Sequence, residues 1–267
     1  MNMKLNNLVF SLRKIKVKLN CKSQRNLYEP TRMNFNKRLF LWLSLAFVFA
    51  TVIGTLTHEC GHYVVAKSFG YHARINYAFT LWYDPNNIEF TNSTYSKYQK
   101  EIETDRDFPE KEKYMKIIEM HNRNGFWIGL GGPLETMLTG TIGLIFLFLF
   151  RKSFENQTKL TLKQWLLIFI SLFWLRQLAN FVGWVGYYMV TGELRERMDE
   201  IHISTHFNLP QFTIPALTGL IGVIVLLTVI FKFVPTKQRL TFIASGLVGG
   251  IIGAILWLGL LGKVIMP

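Results

Sequence analysis

Five stretches of this chain are apolar almost without interruption, and polar character returns between them. They run from about Leu39 to Leu56, Phe126 to Phe150, Leu162 to Val190, Phe212 to Val234 and Leu240 to Gly262. About 20 helical residues cross the hydrocarbon layer of a bilayer, so each stretch is long enough to span one. Helical spacing continues past the first stretch to Phe69, where Gly70 offers a stop. Residues 71–124 differ. Ile75, Tyr77, Phe79, Leu81 and Tyr83 alternate as in a strand, and Asp84-Pro85-Asn86-Asn87 turns it. Asp107-Phe108-Pro109-Glu110 then predicts a capped helix start, with an end near Asn124-Gly125. The pattern predicts an all-α polytopic membrane protein of about five transmembrane helices with a small mixed extramembrane insertion at 71–124.

Charge adds a direction to this picture. The chain has 267 residues and a formal net charge of +13. Residues 1–38 carry ten Lys/Arg against the single acid Glu29. That basic leader lacks the apolar run and small-residue cleavage site of a signal peptide. Beside a first span it predicts a cytoplasmic segment, partly disordered, in contact with anionic lipid. No recognition motif follows the charge, which argues against a nucleic-acid partner. Met33 followed by Asn34-Phe35-Asn36-Lys37-Arg38 and an apolar run reads as a membrane-protein start, so residues 1–32 are expected to be dispensable for insertion. The loop at 151–163 and the connection before Leu240 are basic, the insertion balances its charges, and 191–211 is net acidic. Five spans place both basic loops with the leader, in agreement with the positive-inside rule. The two cysteines, Cys21 and Cys60, make no disulfide framework.

Chemistry concentrates at His58-Glu59-Cys60-Gly61-His62, on the C-terminal part of the first predicted helix. Residues four apart share a helix face, so both imidazoles can reach one ion, with Glu59 adjacent. Two histidines and a third protein ligand on zinc leave a position open for water. Zinc lowers the pKa of that water, and Glu59 can take its proton and pass it to a leaving amine. Gly61 is expected to keep the approach uncrowded. Ionisable groups at the end of a long apolar run are costly and usually functional. Hydrolysis also needs water, so the spans must enclose a polar cavity, expected to be lined on one side by Thr51, Thr55, His58 and His62, with the insertion as a gate.

The run from His58 through Ala66 to Gly70 resembles the first motif of the site-2 protease family of intramembrane zinc metalloproteases. Gly131-Gly132-Pro133-Leu134 is similar to that family's later G-P-L run, with Glu135 and Thr136 standing near the family's usual asparagine. Together the resemblance covers roughly residues 39–200. It implies a zinc-dependent endopeptidase whose substrate is a transmembrane or membrane-adjacent segment of another protein, unwound locally before cleavage. The family's third ligand is an aspartate, typically in an L-D-G setting that this chain lacks. Its nearest counterpart is Met198-Asp199-Glu200, after Asn180 in the third span. The implied set is therefore metal ligands His58, His62 and Asp199, with Glu59 catalytic. Glu200, Glu193, His202, His206 and Glu135 compete with Asp199.

Other ionisable residues have plainer readings. His202 and His206 are four apart but read as a solvated face, and His72 and His121 are isolated. Glu135 and Arg176 lie deep in spans at similar depth, which predicts a buried structural ion pair. Gly246, Gly249, Gly250 and Gly253 have the small-residue spacing that lets helices pack closely, within the chain or in a homo-oligomer. Asn92 lies in an N-x-T string, a glycosylation acceptor only in a eukaryotic secretory setting. The alternative function is a non-enzymatic metal-binding membrane protein, either a transporter or an inactive protease-like scaffold. The charge pattern predicts a cytoplasmic N-terminus and an external or lumenal C-terminus. A reporter fused after Pro267 should be active only on the external side; a cytosolic signal would reverse the orientation.

Overall fold

The computed structural model describes residues 34–193 and 198–267. Most of the basic leader, with Cys21 and the proposed dispensable segment, lies outside these residues. The chain is an all-α polytopic membrane protein; among the described residues, five helical segments are long and apolar enough to span a bilayer. α1 is Lys37–Ser68, capped by the Asn36 side chain on Leu39 N at 3.1 Å and stopped before Gly70, whose φ is +77°. Two strands follow, β1 His72–Ile75 and β2 Thr80–Tyr83, then α2 Ile88–Glu103 and α3 Lys111–Leu149. The third span is α4 Leu162–Ser171, a 3₁₀ turn Leu172–Trp174 and α5 Leu175–Thr191. The short α6 is Asp199–His206; α7 is Thr213–Thr228 and α8 Thr236–Ala254, each ending in π-helical turns. A last turn, α9, is Gly262–Ile265.

Packing separates two ends of the bundle. Leu43, Phe47, Leu147, Ile168, Val229 and Phe242 fill an apolar core near the two short connections. Asn36 N donates to Thr241 Oγ1 at 3.0 Å, and Phe154 packs on Phe233, so the start of α1 and both connections share this end. The hairpin and the C-terminus share the other: Tyr77 N donates to Met266 O and Trp257 Nε1 to Tyr77 O. Outward faces are apolar, with Trp42, Phe49, Ile53, Ile142, Ile224 and Ile251 all exposed. Only 17% to 33% of each span's most apolar window is buried, which suits lipid and not water. Gly249 and Gly253 lie against Ser44, Phe47 and Thr51 of α1, so this glycine stripe serves packing within the chain; Gly250 faces open space.

The insertion departs from the expected pattern in four ways. The alternating run at 75–83 is a hairpin, not one strand: His72 pairs with Tyr83 and Ile75 with Thr80. Residues 88–103 form α2, which the charged composition had concealed. The third helix starts at Lys111 after Glu110 in a left-handed conformation, φ +68°, instead of at Asp107. Phe108, buried between Tyr98 and Tyr114, holds the chain out of helix until that point. That helix also runs through Asn124-Gly125 without a stop. Gly125 lies under the Trp82 ring and Asn124 Nδ2 donates to Tyr71 Oη at 3.1 Å, so both residues serve the hairpin contact. The residue before Asp199 likewise leads into a helix, α6, which is partly buried, in place of the exposed loop that the sequence pattern suggested.

Span one crosses span two at glycines. A Cβ on Gly61 would overlap the Gly131 carbonyl, and one on Gly131 would fall 2.6 Å from Gly61 O. Gly54, in the same helix, has nothing within 4 Å of its Cβ position. Gly131→Val should therefore overpack the crossing at a cost of about 1–3 kcal/mol. A lowered thermal midpoint in detergent is expected, whereas Gly54→Ala should not lower it; equal behaviour of the two variants would contradict the crossing.

Candidate metal centre

The C-terminal half of α1 turns His58, Glu59 and His62 inward, and all three are buried. His58 Nε2 and His62 Nε2 are 3.2 Å apart. α6 delivers Asp199 across the bundle, with Oδ2 at 3.0 Å from His58 Nε2 and 3.4 Å from His62 Nε2. The structure thus brings the three sequence-predicted ligands together at one point. Glu59 also offers an oxygen in a His58–Glu59–His62 group whose donor atoms lie within 4.8 Å of one another. Asp199 approaches the imidazoles more closely, and the Glu59 carboxylate has other partners, so the donor triangle is read as His58, His62 and Asp199.

Chemistry of the donor set fits a cation. Tetrahedral zinc with bonds of about 2.0–2.2 Å places neighbouring donor atoms about 3.3–3.6 Å apart, close to the triangle observed. The Ile128 carbonyl lies 2.6 Å from His62 Nδ1 and can only accept, so Nδ1 carries the proton and Nε2 presents its lone pair to the site. The Gly132 N–H, 3.3 Å from the same nitrogen, then faces a donor, and the shorter contact decides the tautomer. The His62 Nε2 lone pair, His58 Nε2 and a carboxylate oxygen converge. A proton could join them only pairwise, whereas one divalent cation satisfies all three.

The supporting contacts explain how the aspartate arrives. Glu200, next to it on α6, is fully buried and accepts from Asn180 Nδ2 of α5 at 2.9 Å. Ser204 Oγ accepts from Ile214 N at the start of α7. These two ties fix the rotation of α6, so that Asp199 faces the histidines while Glu200 faces α5. Burial pushes the Glu200 carboxyl up against the opposing Asn180 bond. Of the other competitors, Glu193 is exposed, as are His202 and His206, and His206 stacks on Phe126. Glu135 accepts from Thr139 Oγ1 at 2.9 Å.

Three expectations are corrected. Gly61 faces Gly131 at the helix crossing and does not clear the metal approach; Gly132 does, since a Cβ there would fall 2.6 Å from His58 Nε2 and overlap His62 Nε2. Among the described residues, Glu135 and Arg176 form no ion pair; the Arg176 guanidinium faces Glu59 instead, with Nη2 at 4.0 Å from Oε1. A cavity of about 1120 Å³ adjoins the centre; of the four residues expected to line it, His62 does, and Thr51, Thr55 and His58 do not. The two threonine hydroxyls return to the carbonyls of Phe47 and Thr51 in their own helix. The cavity is walled by Glu59, His62, Thr80, Trp82, Arg176 and Asp199, with His202 and His206 at its side.

Sequence reasoning missed the roles of two residues of this site. Thr80 of β2 donates one hydroxyl hydrogen toward both Glu59 Oε2, at 3.1 Å, and Glu59 O, at 3.0 Å, so the hairpin holds the carboxylate. Arg176 carried a signal, an ionisable group within a span, that pointed to the wrong partner. Comparison with protein-family models, curated proteins and solved structures finds no match for the chain.

Purified protein should hold about one zinc per chain, and both His58→Ala and Asp199→Ala should lose it, while Glu193→Ala keeps it. Elemental analysis checks this, and stoichiometric zinc in the Asp199 variant would remove aspartate from the ligand set.

Proposed function

We propose that this chain is a zinc-dependent intramembrane endopeptidase, a divergent relative of the site-2 protease family, acting on transmembrane or membrane-adjacent protein segments. The observation that carries the reading is the His58–His62–Asp199 triangle with the Glu59 carboxylate beside it but outside it. His58, His62 and Asp199 would hold a zinc ion, which would supply Lewis acidity toward a scissile carbonyl and a bound water. Glu59 accepts the proton from water and returns it to the amine nitrogen as the C–N bond breaks. Thr80 and the loose contact with Arg176 hold that carboxylate at the cavity wall. The cavity gives an extended peptide segment room beside the donors, with Thr80 and Trp82 of the hairpin forming part of its rim.

The sidedness of the bundle favours hydrolysis over transport. Ionisable groups gather at the hairpin end, while an apolar core fills the end near the short connections. A transporter would be expected to distribute polar sites along a path between both ends. With the charge pattern of the connections, the site faces the external or lumenal half of the membrane and the N-terminus is cytoplasmic.

Glu59→Gln should keep the zinc and lose about 10²–10⁴-fold in kcat on fluorescently labelled casein or a single-span membrane reporter. Full turnover by that variant, or no cleavage of either probe by the zinc-loaded wild type, would end this reading.

A further inference from the structure

Among the described residues, Arg176 is the one arginine or lysine that walls the cavity, and its bonding is incomplete. Its Nη2 stands 4.0 Å from Glu59 Oε1, too long for a hydrogen bond. Its Nε is buried and has no partner among the described residues. The carboxylates of Glu59, Asp199 and Glu200 stand on the same cavity wall, so negative charge surrounds the guanidinium without consuming its N–H groups. A guanidinium kept inside a membrane bundle with unused donors is expensive, and such a group is usually functional.

Its position is fixed from the backbone side. The 3₁₀ turn Leu172–Trp174 interrupts the third span just before it. Trp174 Nε1 donates to Thr141 Oγ1 at 3.1 Å, and Gln177 Nε2 to Thr136 Oγ1 at 3.4 Å. Both anchors lie on α3, the helix that also carries Gly132 and the Ile128 carbonyl. Arg176 sits between them, so the helix that locks His62 also sets the register of the arginine.

We propose that Arg176 is a catalytic residue that donates a hydrogen bond to the substrate carbonyl oxygen as negative charge develops on it. The inference rests on the hydrolase reading above. In that reaction the water oxygen forms a bond to the carbonyl carbon, its proton passes to Glu59, and the π pair moves onto the carbonyl oxygen. On collapse the C–N bond breaks and the proton goes to the departing nitrogen. Arg176 keeps its own protons throughout and supplies a preorganised donor where the charge appears. Its loose contact with Glu59 serves the same end, since an arginine already paired at hydrogen-bond distance would have to break that pair before turnover.

The test uses the full chain in detergent with Arg176→Gln and Arg176→Lys. Zinc content, kcat and KM on labelled casein are measured, with the affinity of phosphoramidon, a tetrahedral phosphoramidate anion that mimics the charged oxygen. Zinc should stay at about one per chain and KM within about threefold of wild type. In the glutamine variant kcat should fall about 10²–10³-fold, as on removal of a single oxyanion donor, and phosphoramidon should bind at least about tenfold more weakly. The lysine variant should lie between. Unchanged kcat and phosphoramidon affinity, or losses that track loss of zinc in both variants, overturn the proposal and leave Arg176 a structural counter-ion. A wild type that holds zinc yet neither cleaves casein nor binds phosphoramidon overturns the hydrolase reading, and the arginine's role falls with it.

Discussion

The close approach of α1 and α3 governs the site. The two backbones meet at Gly61 and Gly131, where neither helix has room for a methyl group. One residue further along α3, Gly132 leaves space for both imidazoles, and Ile128 presents a carbonyl to His62. Pro133 follows at once and has no N–H to give, so the helix ladder is already interrupted beside this contact. A larger residue at any of these three glycines would separate the helices or displace the ring nitrogens. The Asp199 carboxylate, 3.0 Å from one ring and 3.4 Å from the other, could not then meet both.

Around that crossing the bundle places its polar groups with economy. Buried hydroxyls mostly return to carbonyls of their own helices, as Thr51, Thr55 and Ser171 do. Longer polar side chains tie elements together: Asn180 to Glu200, Gln177 to Thr136, Asn124 to Tyr71. In a lipid-facing structure an unpaired polar group costs several kcal/mol. The atoms left without partners are therefore informative, and Arg176 Nε and Glu200 Oε2 both lie beside the cavity.

Much of this was legible in the sequence, for reasons that differ from residue to residue. Five apolar runs gave five spans because lipid imposes length and composition directly. His58, Glu59 and His62 were legible because i, i+4 spacing fixes a shared face wherever the helix goes. Asp199 came from the family resemblance, not from any local pattern, and the distance to His58 is a tertiary fact. The hairpin was half visible: alternation marks a strand, but the turn at 76–79 carries no glycine or proline to reveal it. Asn124-Gly125 misled because a glycine under a tryptophan ring and a glycine at a helix end look alike in one dimension. Thr80 could not have been found, since a threonine in a strand announces nothing about a carboxylate 21 residues earlier.

The unbroken course of α3 has a mechanical meaning. It is 39 residues long, about 58 Å at the rise of an α-helix, nearly twice the hydrocarbon thickness. Its outer arm belongs to the insertion and packs against the hairpin, while its inner arm holds Ile128, Gly132 and the anchors for Trp174 and Gln177. The helix is a lever whose fulcrum is the glycine crossing. A displacement of the outer arm is therefore passed to the Ile128 carbonyl and, through it, to His62 Nδ1.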